Sequence, residues 1–86
     1  MTIYYFHLRD GVDILLDPEG RELDGPDDLP SAALLDARSI ISEDARNGRI
    51  LLDQHIDVED ERRNILHTLH FADAVEVVCS KVKPLP

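Results

Sequence analysis

Basic residues are scarce: nine Lys and Arg stand against eighteen Asp and Glu in 86 residues, a formal net charge of −9. A field of that sign repels phosphate backbones, so no direct nucleic-acid partner is expected. Cysteine is nearly absent. Cys79 stands alone and leaves nothing for an internal disulfide, and Met1-Thr2-Ile3-Tyr4-Tyr5 supplies no basic-then-apolar leader, so the expected setting is reducing and cytoplasmic. Apolar runs extend over only a few residues, far short of the roughly 20 needed to cross a bilayer, and no membrane is expected. The glycines Gly11, Gly20, Gly25 and Gly48 are isolated from one another, which excludes a phosphate-cradling loop. Repeats and low-complexity linkers are missing too, and the length leaves room for one hydrophobic core. A chain this short buries only about 60 to 65% of its unfolded surface, which counts against a deep enclosed pocket.

What is present alternates. Ile3-Tyr4-Tyr5-Phe6-His7-Leu8 is aromatic and β-branched and runs into Asp10-Gly11, a tight-turn pair. Val12, Ile14 and Leu16 then share one face of a second strand, which Asp17-Pro18-Glu19-Gly20 closes with turn chemistry. The following stretch is acidic and ends in Asp27-Asp28-Leu29-Pro30, where an aspartate side chain is expected to cap a helix and Pro30 fits its first turn. Ala33, Leu34, Ala37, Ile40, Ile41 and Ala45 recur at spacings of three and four, so a helix over about residues 29–47 is predicted, with Leu34, Ala37, Ile41 and Ala45 against a sheet and Gly48 as its left-handed stop. Ile56 and Val58 point opposite to His55 and Asp57 on a third strand. Glu59-Asp60-Glu61-Arg62-Arg63-Asn64 turns the chain, and a fourth strand over residues 65–71 places Ile65, His67, Leu69 and Phe71 on one face. The fold class expected is α+β: a two-layer ββαββ unit, a four-stranded antiparallel sheet with one helix on one face, forming a single domain over residues 1–78. Residues 72–78 read as a short helical turn capped by Asp73, with a fifth strand as the alternative, and residues 79–86 as a loose tail.

Three segments together carry a resemblance: Tyr4-Tyr5-Phe6-His7-Leu8-Arg9-Asp10-Gly11, then Asp17-Pro18-Glu19-Gly20-Arg21-Glu22-Leu23, and Phe71-Ala72-Asp73-Ala74. They look like a family of short alphaproteobacterial proteins whose members open with an aromatic-aromatic-His-Leu/Val-Arg-Asp-Gly motif and form a domain of unknown function. The resemblance spans about residues 4–76 and implies a free-standing bacterial domain without implying an activity. The sequence departs from the family in the loop over residues 59–64, which lacks the glycine a tighter hairpin would carry, and this puts strand register there in question.

The candidate chemistry is thin. His7, His55, His67 and His70 beside many carboxylates suggest a metal set, but His67 and His70 are three apart and face opposite sides of a strand, so only a meeting across strands would gather them. His7-Leu8-Arg9-Asp10 invites a base-and-orienter reading, although Asp10 more simply serves the turn and Arg9 a nearby carboxylate. Asp10, Asp13, Asp17 and Glu19 miss the spacing of a calcium loop and read as a solvated acidic face. No cofactor, metal ligand or catalytic residue is therefore expected. One helix covers one sheet face, which leaves Ile3, Tyr5, His7 and His70 as the candidate interaction face. The expected function is a non-enzymatic protein-interaction module acting through a sheet face or edge, homodimeric or bound to another protein. The alternatives are a small metal-binding or hydrolytic protein using His7 with a cross-strand histidine, and an acidic mimic of nucleic acid that occupies a basic protein.

Overall fold

The computed structural model describes residues 2–79. Five strands and one long helix follow in the order β1 (Thr2–Asp10), β2 (Asp13–Leu15), β3 (Arg21–Leu23), α1 (Leu29–Arg46), β4 (His55–Glu59) and β5 (Ile65–His70). All pairings are antiparallel, and β1 lies centrally: β4 flanks it on one side, with β5 beyond, while β2 and β3 share its other side. The expected α+β layering is therefore present, with one strand more than predicted. The additional strand, Arg21-Glu22-Leu23, lies in the stretch read as an acidic connection. It pairs with the first residues of β1, whose length of nine residues exceeds what the three-residue β2 can cover.

The core lies between the sheet and α1. Tyr4 and Phe6 from β1, Ile56 and Val58 from β4, and Leu29, Ala33, Ala37 and Ile41 from α1 are buried together with Phe71 and Ala74. The helical stripe is thus the one the spacing predicted, shifted toward the helix start. Ala45 is exposed and Leu34 half-buried, because the burial ends at Ile41 and the last turn runs past the sheet. Arg21 joins the two layers: its guanidinium lies 4.2 Å from the centre of the Phe6 ring and donates to Asp36 of α1 at 2.7 Å.

The helix ends differ from each other. No aspartate side chain caps the start. Instead a 3₁₀ turn, Pro26–Asp28, leads in, with the Asp28 N–H donating to the Gly25 carbonyl at 3.2 Å, and Asp28 is already helical in backbone conformation. At the other end Gly48 adopts φ +83, its N–H reaching the Ala45 carbonyl and that of Arg49 the Asp44 carbonyl, a paired closure that satisfies carbonyls the helix leaves open.

Two further departures lie near the end of the described chain. Residues 71–73 make a single 3₁₀ turn in which Asp73 does not act as the cap, and no regular element follows among the described residues. His67 stands opposite Val58, so it faces the helix, while a register irregularity at Val58/Glu59 sets Ile65 opposite Glu59 and breaks the alternation predicted for that end of β5. Of the tail predicted over residues 79–86, only Cys79, exposed, lies within the described residues.

Candidate functional site

On the face turned away from α1, strand register assembles three rows. Tyr5 stands opposite Glu59; His7 opposite Asp57, which stands opposite Thr68; and Arg9 opposite His55, which stands opposite His70. Period-two alternation puts all eight on one side, and none sits opposite a side chain of the core.

These groups are bound to one another. Asp57, only 5% exposed, accepts from the Thr68 hydroxyl at 2.7 Å and lies 2.6 Å from Arg9 Nε and 3.6 Å from His55 Nε2. The Arg9 Nε–H is not directed along a hydrogen-bond axis, so that contact is chiefly ionic. Glu59 lies 3.5 Å from His7 Nε2 and 3.9 Å from Arg9 Nη2. Tyr5 stacks on His7, and the His55 and His70 rings meet at 5.3 Å. Burying such charges is costly, and the cost is offset only while every member keeps its partner.

A turn braces the cluster from the side. Residues 17–20 pass beside β1 between β2 and β3, and Asp17 fills the gap in the ladder there: its Oδ2 accepts from the Phe6 N–H at 3.1 Å, while its Oδ1 accepts from the N–H groups of Glu19 and Gly20. Partial burial would raise the Asp17 pKa, but these three amides hold it below the ordinary carboxylate value. The Asp17 N–H in turn donates to His7 Nδ1 at 3.0 Å. That bond occupies the Nδ1 lone pair and assigns the proton of the neutral ring to Nε2, on the side of Glu59. Gly20 has φ +70, and a Cβ there would stand 2.6 Å from Ile3 Cγ2, 2.9 Å from Tyr5 Cε2 and 3.0 Å from the Tyr4 carbonyl oxygen.

The structure therefore places the candidate face as follows. Ile3 and Tyr5 are half-buried against the Gly20 main chain, His7 is buried in the ionic cluster, and His70 is exposed on β5. His7 meets no second histidine across the strands; the cross-strand pair is His55 with His70. Asp10 is exposed beside the hairpin turn opposite Asp13 and does not orient His7, a position taken instead by the main chain of Asp17. Arg9 does pair with carboxylates, those of Asp57 and Glu59. Two open hollows border the cluster, one of about 500 Å³ between His7, Arg9, Leu16, Asp17, Pro18, Glu59 and Arg63, the other of about 260 Å³ between Tyr5, His7, Glu59, Asp60, Glu61 and Arg63. Among the described residues, no three His, Cys, Asp or Glu come together in a way that could hold a metal ion. Sequence reasoning did not single out Asp57, Glu59 or Thr68, and it read Asp17 as a turn residue on a solvated acidic face, whereas its carboxylate is taken up by main-chain amides beside β1. Alternation indicated the side Asp57 faces, but not its burial.

Residues 3–72 match the family model of a domain of unknown function, DUF6894. The chain belongs to this family. The matched DUF6894 segment contains the first two motifs whole and the opening Phe71-Ala72 of the third, and it takes in every residue of the ionic cluster together with Asp17 and Gly20. No curated protein and no solved structure matches the chain. Among the described residues of this DUF6894 domain, no helix is long and apolar enough to cross a membrane.

Proposed function

We propose that this domain is a non-enzymatic protein-interaction module that self-associates, in the bacterial cytoplasm, through the edges of its sheet. The observation that carries the reading is the apolar surface at those edges: Val12, Leu15 and Leu16 are 97%, 69% and 62% exposed on the β1–β2 arm, and Ile65 and Leu66 are 55% and 46% exposed on β5. Exposed apolar groups gathered at strand edges mark interaction sites. The ionic face supports the same reading from the opposite direction. Its charged groups are engaged with one another, and His7 presents an N–H donor in place of the lone pair that a general base or metal ligand needs, which disfavours the metal-binding and hydrolytic alternative. Asp57 and Glu59 turn onto Arg9 and His7, and Asp17 onto main-chain amides, so none of the three is free to imitate a phosphate.

Sedimentation at micromolar concentration across a salt series tests the proposal. Two copies of charge −9 repel, so a dimer is expected that tightens as salt screens the repulsion. A monomer at every concentration and salt level defeats it.

A further inference from the structure

We infer that the partner is a second copy of this chain, joined along β5 about a two-fold axis so that the two sheets become one antiparallel sheet, an inference that rests on the self-association reading above. Among the described residues β5 pairs only with β4 and its outer edge is open. Strand edges are normally guarded by charges or proline. Ile65-Leu66-His67-Thr68-Leu69-His70 has neither, and it is the one strand of the five without an Asp, Glu, Lys or Arg. Two bodies of charge −9 approach at least cost along such a strip.

The ladder phase fixes how they would meet. The Phe71 N–H donates to the Gln54 carbonyl at 3.0 Å, one step beyond the His55–His70 pair in the same register. Hydrogen-bonded and non-bonded pairs alternate in an antiparallel ladder, so the main-chain groups of Leu69 and His67 turn toward β4 while those of Thr68 and His70 turn to the open edge. A two-fold pairing must bring outward groups onto outward groups. The register centred on Thr68, which pairs Leu66 through His70, sets Thr68 opposite its own copy, Leu66 opposite the partner's His70 and His67 opposite the partner's Leu69.

Three substitutions in the full chain test this by sedimentation, with circular dichroism melts in parallel. His70→Pro suits the local φ of −82 and deletes an N–H that β4 does not use, so folding is retained while each copy loses one edge donor. The dimer Kd should rise roughly tenfold or more, since two hydrogen bonds are lost per dimer. His70→Ala keeps the amide and should dimerise as the wild type does. Leu66→Lys adds a like charge on each side of the axis and should also weaken the dimer, which decides the matter if the proline variant fails to fold. A wild-type dimer that tolerates both Leu66→Lys and His70→Pro, yet dissociates with Leu15→Lys on the β1–β2 arm, overturns the β5 interface and leaves self-association standing. A wild-type monomer under all conditions overturns both.

Discussion

Two turns in this domain are built on the same device and set at different depths. In each, one aspartate gathers main-chain amides and a later residue takes a left-handed conformation. Asp17 accepts from Phe6, Glu19 and Gly20 and lies partly buried beside β1, with Gly20 at φ +70 pressed against Ile3 and Tyr5. Asp60 accepts from the N–H groups of Arg62 and Asn64 and from the Asn64 side chain in the exposed β4–β5 loop, and there the left-handed residue is Arg63 at φ 66. The glycine missing from that loop is thus replaced by a strained arginine that Asp60 holds in place. Glycine is required where a side chain would collide as well as strain, and is dispensable where the chain borders solvent.

The largest effect should come from Gly20→Ala, which adds both left-handed strain and overpacking and should cost about 2 to 4 kcal/mol in urea titration. Gly11→Ala sharpens the point: its φ is +60 but nothing lies within 4 Å, so only the strain, about 1 to 2 kcal/mol, is expected. Equal losses at the two positions would show that the Ile3 and Tyr5 contacts at Gly20 do not matter.

Asp17→Ala comes next. It strands the buried-side Phe6 amide, while the main-chain N–H that holds His7 remains, and about 1 to 3 kcal/mol should be lost. Asp60→Ala should lower the melting temperature less, because water replaces its bonds. Acid distinguishes the pair further. Both carboxyls are held below their ordinary pKa: Asp60 by the Asn64 amide and side chain foremost, Asp17 by its three amides against an opposing burial effect. A depressed folded pKa contributes stability that is complete above the unfolded value near 3.8 and is lost as pH falls through the lowered folded value. Melts from neutral pH to below 3.8 should therefore lose part of their acid dependence in Asp17→Asn and in Asp60→Asn. Unaltered acid dependence in both variants would argue against amide-stabilised carboxylates.

The smallest effect should have the opposite sign. Arg63→Gly relieves the left-handed strain, offset in part by the freedom glycine gains when unfolded, for a net stabilisation of about 0.5 kcal/mol. Loss of stability in that variant would mean that the arginine side chain contributes more than the strain takes away.

Much of the fold was legible because it follows from periods. Alternation gave β1, β2 and β4, spacings of three and four gave α1, and Gly48 marked its end. The third strand was not legible, since Arg21-Glu22-Leu23 is too short for periodicity and its pairing depends on the unused half of β1. The ionic cluster was half legible: sidedness put His7 and His70 on the face away from the helix, but the burial of Asp57 between Arg9 and Thr68 arises only from cross-strand register. His67 shows the limit most clearly. It shares alternation with Leu69, and only the pairing with Val58 determines which side of the sheet that is.

The two strands that share one side of β1 also impose a rule of parity. Tyr4 and Leu8 are four residues apart, while their partners Arg21 and Leu15 are six apart, a surplus of two taken up in the turn at Asp17. An even surplus preserves which way side chains face, so Arg21 stays on the helix side above Phe6 and within reach of Asp36. The length of this turn is in that sense quantised. Gaining or losing two residues would leave the layers correctly matched, whereas a single insertion or deletion would rotate Arg21 to the opposite face and deliver Glu22 to the core in its place.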